Sequence, residues 1–482
     1  MMVYRPLFFI TGLVLSKMAV FMYFPMALAF YNNSLGGVEF FAAIVITHLF
    51  SFLFIYLGDE KERSRLGVRE MFLLTTGVWV LASLFAALPF VFIENISYTD
   101  AFFETMSGIT TTGSTVLHNL DTMPHSILLW RSILQWLGGV GFIVMGVAIL
   151  PYLNVGGMRL FQTESSDWSE KAESKTRQVA LDILMVYLLL SICCFIGYLF
   201  TGMTIFEAIN HSMTTISTGG YSTSDSSMGH FSNGAHWNAI IFMFLGGLPF
   251  LLLIRAFNRR KLSAIYKDAQ VCGFFILVIV FSSILTLYLT LTDQFYWLDA
   301  LRLSLFNVVS VLTTTGYGLD DFVQWGDFCI IIFLGLLFVG ACSGSTAGGI
   351  KIFRFQIAMS LLKRQLLLLM HPRGIFPQKY NNRIVSDDIL RSLIAFVLAY
   401  LMTIGLSTLL LSFFGSPAFE AFSASITAVS NVGPGLTASI GPSGNFSHFS
   451  NISKWVLSIG MLMGRLEILT VVVLFTRHFW RK

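Results

Sequence analysis

The sequence predicts an all-α polytopic membrane protein, an introductory helical hairpin followed by four repeats of span, half-length segment and span, set with fourfold pseudosymmetry around one pore. Three observations predict it. The 482 residues are 55% hydrophobic and 12% charged, with a mean hydropathy of +0.75, which leaves too little polar surface for a water-soluble globule of this size. Ten apolar runs of about 20 residues, enough to cross ~30 Å of hydrocarbon, lie near residues 7–30, 38–57, 71–93, 127–152, 179–202, 237–257, 270–292, 327–350, 390–414 and 453–476. Between them, four polar tracts end in glycine: Thr110, Thr111, Thr112, Gly113; Ser217, Thr218, Gly219, Gly220; Thr313, Thr314, Thr315, Gly316; and Ser430, Asn431, Val432, Gly433. Thirteen residues before these glycines stand Asp100, Glu207, Leu303 and Glu420, and each of the three acids is followed by alanine. A shared register of this kind marks a repeated unit.

Taken in order, residues 1–69 form the introductory two-helix hairpin. Its first run is too long for a cleaved leader, carries Lys17 inside, and is followed within a few residues by another span. The repeats then occupy residues 70–152, 177–258, 268–370, whose second span is interrupted, and 388–482. Their closing glycines are spaced by 107, 96 and 117 residues, as expected of duplicated units that have diverged. The half-length segments, such as 100–110 and 207–217, cannot cross a bilayer, so they enter and return. Irregular backbone at membrane depth is tolerated only where protein buries it or water reaches it, and a pore lining satisfies both conditions. An acid at the start of such a segment suits the helix macrodipole, and the partly negative C-terminal end then points inward, toward a cation rather than an anion.

Of the 30 Lys and Arg, 25 fall in one alternating set of loops, including Lys61, Arg63, Arg65, Arg159, Arg260, Lys261, Lys351 and Lys482. The other five are Lys17, Arg131, Arg302, Lys454 and Arg465. Basic residues are retained in the cytoplasm, which puts both termini inside and the four tracts on the outer side. No continuous basic face remains for nucleic acid. The five cysteines lack metal-ligand spacing and read as small buried hydrophobes. Trp130, Trp136, Trp237, Trp297, Trp325 and Trp455 suit interfacial belts.

Carbonyl oxygens from four such tracts can replace the hydration shell of a monovalent cation, and glycine at the closing position permits the backbone torsions that aim them. No tract carries an acid, which argues against a divalent-cation site. Residues 341–349 are nine consecutive small residues, among them Gly344, Ser345, Thr346, Gly348 and Gly349, a run that holds no firm helix. It reads as an intramembrane break or as a helix-packing face. A phosphate loop is excluded because Ile350 separates Gly349 from Lys351. Arg465 lies deep in the last span, where a charge must face protein or a wet cavity. Glu467, two residues on, is not on the same helix face, so each needs a partner elsewhere.

These tracts, the broken third repeat and the arginine of the last span resemble the potassium-uptake subunit of the bacterial Trk/Ktr family, related to the plant and fungal HKT/Trk transporters, over nearly the whole chain. The resemblance implies four M1-P-M2 units of potassium-channel type. It also implies a selectivity filter lined at Gly113, Gly220, Gly316 and Gly433, chemically asymmetric where Gly219 and Val432 replace threonine. Gly113, where some sodium-passing relatives have serine, favours potassium as the transported ion. The same likeness implies that the run from Gly344 to Gly349, with Lys351 at its exit, gates the pore, with Arg465 below the filter. It further implies a homodimer in the bacterial inner membrane and a cytosolic ring of nucleotide-binding regulatory subunits, with neither cofactor nor catalytic residue. A proton- or sodium-coupled secondary transporter is the alternative, in which the broken span forms a substrate site.

Overall fold

A computed structural model describes residues 4–59, 66–148, 170–259, 263–381 and 383–481. The end expected for the first repeat, 149–152, and Lys61, Arg63, Arg65, Arg159, Arg260, Lys261 and Lys482 lie outside the described residues. The described chain is almost wholly helical, with two pairs of two-residue strands as its only sheet.

Among the described residues seven helices are long and apolar enough to cross a membrane: Arg5–Tyr31, Gly37–Leu57, Val68–Glu94, His125–Met145, Arg177–Phe200, Ala269–Leu291 and Asp387–Phe413. Their outward faces carry exposed apolar side chains such as Phe52, Leu287 and Met402, a surface that suits lipid and would aggregate in water. In the hairpin, the first two helices approach so closely that a Cβ on Gly12 would fall 2.8 Å from the Ser51 carbonyl oxygen. Ser51 in turn donates to the Gly12 carbonyl at 2.7 Å. Small residues allow this contact where hydrophobic exclusion gives no drive between helices.

Three of the ten expected runs are not continuous spans. The run at 237–257 is two helices, Asn233–Gly246 and Phe250–Phe257, bent by 96°. Pro249 cannot continue the first helix, and the freed Gly246 carbonyl accepts from the Thr346 hydroxyl at 3.0 Å. The run at 453–476 is Asn451–Arg465 and Leu469–Phe475, bent by 110°, with Glu467 at φ 60 inside the break. The run at 327–350 is a helix only over Asp327–Phe338 and continues as Ile352–Met370 after the small-residue stretch. Residues 341–349 are therefore a loop and not a packing face of a helix.

Four short helices precede the polar tracts: Tyr98–Ile109, Ile205–Ile216, Trp297–Leu312 and Ala418–Ser430. Ser97 caps the first by accepting the Asp100 N–H at 3.1 Å, and Thr204 with Glu207 forms a reciprocal capping box on the second. The third helix has 16 residues against 12 or 13 in the others. Its acid is Asp299, a turn earlier than the register position held by Leu303.

The tryptophans divide. Trp237 and Trp297 are exposed, whereas Trp130 and Trp325 are interior, with Trp130 Nε1 donating to the Ala86 carbonyl at 3.1 Å and Trp325 Nε1 to Asp320 at 2.7 Å. An indole with a hydrogen-bond acceptor in reach can be buried at little cost, which is why the belt expectation fails for these two. Cys194, Cys329 and Cys342 are buried as expected, but Cys193 and Cys272 are exposed on the outer faces of their helices.

Candidate functional site

The four tracts share one backbone conformation. The second residue of each is left-handed, with φ of 52 at Thr111, 52 at Thr218, 56 at Thr314 and 56 at Asn431. The closing glycines are also positive, at 87, 76, 77 and 105 for Gly113, Gly220, Gly316 and Gly433. Two reversals of hand thus fall within three residues, so no tract continues its helix. The three residues before each glycine are buried.

These segments close into a ring. A Cβ added to Gly113 would overlap the Gly219 carbonyl oxygen, one on Gly220 that of Thr315, and one on Gly316 that of Val432. On Gly433 it would lie 2.7 Å from the Thr112 carbonyl oxygen. Each tract thus leans on the next and the fourth returns to the first. All four closing glycines line a single cavity of about 70 Å³ on the side away from the loop. Among the described residues no group of three or more His, Cys, Asp or Glu converges, and the polar atoms around this ring are carbonyl and hydroxyl oxygens.

Side chains brace the ring from behind. The Thr110 and Thr112 hydroxyls pair at 2.7 Å, and those of Thr313 and Thr315 at 2.8 Å. The Asn431 amide donates to the Thr112 hydroxyl at 3.0 Å and to the Met461 carbonyl at 2.9 Å, stitching the fourth tract to the first. Two tyrosines that follow closing glycines reach across to the neighbouring unit. The Tyr317 hydroxyl meets Thr214 at 2.5 Å, and that of Tyr221 donates to the Glu104 carbonyl at 2.8 Å. Behind Tyr221 lies a buried ion pair, Arg131 Nε to Glu104 at 2.9 Å, whose carboxylate also accepts the Val116 N–H at 3.0 Å. Sequence reasoning counted Arg131 only for topology and passed over both tyrosines. The Gly-Tyr step shared by the second and third tracts was the available signal.

Directly beneath the ring lies the loop 341–349, entered and left through a parallel pairing of Val339 with Ile350 and Gly340 with Lys351. Gly344 and Gly349 have φ of 74 and 65. The Gly348 N–H donates to the Thr314 hydroxyl at 2.6 Å, and a Cβ on Gly348 would press on the Ser430 carbonyl and the Asn431 side chain. Gly344 and Ser345 shape the loop instead: the Gly344 carbonyl accepts the Phe250 N–H at 2.9 Å, and Ser345 Oγ donates to the Cys342 carbonyl at 2.6 Å.

Two cations hold this stretch, and a third braces the helix that follows it. Arg465 is fully buried, donates Nη1 to the Thr346 carbonyl at 2.8 Å, and lies 4.0 Å above the Phe142 ring. Lys351 Nζ donates to the Ala347 and Gly348 carbonyls. Arg354 pairs with Glu467 at 2.6 Å, both almost wholly buried. The partners that Arg465 and Glu467 each required lie on the loop and on the helix that follows it.

Known proteins place this arrangement. Residues 36–482 match the family model of TrkH, a cation transport protein. The chain is 42% identical to the Trk system potassium uptake protein TrkI of Halomonas elongata, over 99% of this chain and 97% of that one. It is 36% identical to the Trk system potassium uptake protein TrkH of Escherichia coli K12, over 92% of this chain and 91% of the other. The crystal structure of the potassium transporter TrkH from Vibrio parahaemolyticus superposes with a TM-score of 0.92 at 32% identity, covering 100% of both chains. The expected family and helical membrane fold are thereby borne out, and the chain belongs to the TrkH family of cation transport proteins, which are transporters and not enzymes.

Proposed function

We propose that the chain carries potassium into the cell through the glycine ring, and that the loop beneath it is the gate. The observation that carries this reading is the closed cycle of glycine-to-carbonyl contacts, because a cation on the axis of such a ring meets main-chain oxygens from four directions. The four short helices add the partly negative ends of their dipoles on the same side. The names of the Halomonas and E. coli relatives, both potassium uptake proteins, favour potassium as the ion.

With Gly348 bonded to Thr314 and packed on Ser430 and Asn431, an ion leaving the ring inward has no straight exit. Displacement of the loop must break that bond and the one from Arg465 to Thr346. Arg465 also sets a positive charge on the inner side of the ring, which disfavours a cation dwelling there. Inward movement draws on the membrane potential, worth about 2.3 kcal/mol per 100 mV for one charge. In this reading the units 70–152, 177–258, 268–370 and 388–482 each supply one quadrant. The tracts face outward, both termini lie in the cytoplasm, and the protein sits as a homodimer in the bacterial inner membrane. A cytosolic nucleotide-binding ring docked on the exposed basic residues Lys363, Arg373, Lys379 and Arg391, and not on Lys351 or Arg354, which are buried, displaces the loop.

The test is growth of a bacterium lacking its own potassium uptake systems, on limiting potassium, with this chain alone and with a nucleotide-binding regulatory subunit. Restored growth that needs potassium and fails with sodium supports the proposal. A chain that reaches the membrane yet restores nothing in either setting refutes it.

A further inference from the structure

In the first and third tracts the third residue is threonine, and its hydroxyl pairs with that of the first residue. The second tract has Gly219 in that place and no side chain to do this. The vacant volume is filled from outside the tract. Gln135, fully buried on the helix His125–Ala148, places its amide where a Gly219 side chain would stand, so that a Cβ there would overlap it. Nε2 of Gln135 donates to the Gly219 carbonyl at 2.6 Å, and Oε1 accepts the Tyr221 N–H at 3.0 Å. A carbonyl can only accept and an N–H can only donate, so the partners themselves fix which way the amide points. One side chain therefore grips the main chain on both sides of Gly220.

The gripped carbonyl belongs to the ring. Thr112, Gly219, Thr315 and Val432 present the four equivalent oxygens to their neighbours' glycines. Among the described residues, only that of Gly219 also receives a side-chain donor. The donor fixes that oxygen's direction and draws on its lone-pair density, so the second quadrant is both stiffer and a weaker ligand than the others.

We propose that Gln135 is a positioning residue that stands in for the missing threonine of the second tract and sets the ion discrimination of that quadrant. This rests on the reading of the ring as a cation filter. The experiment compares the full-length chain with Gln135→Ala, Gln135→Met, Gly219→Thr and the double variant Gln135→Ala/Gly219→Thr. It reads membrane abundance and the ratio of potassium to sodium uptake in deficient cells. Each Gln135 variant is expected to lower the ratio by about fivefold to tenfold, the equivalent of one buried hydrogen bond. Gly219→Thr alone collides with Gln135 and loses uptake. In the double variant the new threonine occupies the space left by the amide and brings the ratio back to within about twofold of wild type. That recovery separates a positioning role from general loss of structure, which a second substitution would worsen. Wild-type discrimination in Gln135→Met at normal abundance overturns the proposal, as does a double variant no better than Gln135→Ala. If both single Gln135 variants fail to accumulate, recovery of abundance and ratio in the double supports it and continued failure refutes it. A wild-type chain that moves no potassium overturns the filter reading as well, whereas a transporting wild type with indifferent Gln135 variants overturns this inference alone.

Discussion

Replacing Gly316 with alanine adds one methyl group, and the ring gives that methyl nowhere to go. Its Cβ would overlap the Val432 carbonyl oxygen and stand 2.9 Å from Pro434 Cδ. Gly316 also sits at φ 77, where an L side chain costs about 1–2 kcal/mol. Shifting packed backbone to make room adds about 1–3 kcal/mol, for a total of about 2–5 kcal/mol. If the strain is relieved by widening the ring, the ion loses that much binding, a factor between roughly thirty and a few thousand. Gly335, in the same unit on the helix Asp327–Phe338, is the matched control, because a Cβ there meets nothing within 4 Å. Alanine at Gly335 should be silent or should stabilise the helix by up to about 1 kcal/mol. The assay is the initial rate of potassium uptake in deficient cells, divided by chain abundance in the membrane. Uptake per chain at the wild-type level in Gly316→Ala would refute the reasoning from the ring.

Glu467→Gln removes the buried carboxylate that pairs with Arg354 and should cost up to about 3–5 kcal/mol, seen as a lowered melting temperature in detergent, while Arg354→Met/Glu467→Leu recovers most of the loss. Arg465→Gln removes both the charge below the ring and the full-strength bond to the Thr346 carbonyl. Cation flux through the chain alone in lipid vesicles should rise severalfold, and unchanged flux would count against Arg465 as part of the gate. Thr314→Val leaves the Gly348 N–H unpaired in a buried position, a penalty of about 1–3 kcal/mol. Amide hydrogen exchange over 341–349 should then quicken about tenfold or more.

What could be read from the chain was whatever repeats locally. The polar tracts, the short helices before them and the helix-breaking run at 341–349 are each written in consecutive residues, and the structure places all three where the pattern put them. The third acid escaped because its helix is one turn longer, which carries Asp299 out of the common register. Hydropathy measures length and apolarity but not direction, so the bends after Gly246 and Arg465 passed as straight spans. The first had a local sign in Pro249, whose freed Gly246 carbonyl serves Thr346; the cause of the second is tertiary, since Glu467 turns toward Arg354, 113 positions away in the chain. Gln135 was invisible for the same reason. Nothing in its neighbourhood on the helix distinguishes it from a buried polar residue, and its meaning appears only when the missing side chain at Gly219 faces it.

The parallel neck formed by Val339, Gly340, Ile350 and Lys351 sets the mechanics of the loop it closes. Parallel strands are ordinarily joined by a dozen residues or more, and here nine suffice, so the segment is a short leash with both ends tied at one point. Swinging it aside, as the proposed gating requires, would ask neither flanking helix to stretch or part. Fully extended, nine residues span about 30 Å, so the tip travels no farther than about 15 Å from its anchor. In the gating proposed above, a flap on so short a tether would clear the passage without being lost from it, and its return to rest would need no search.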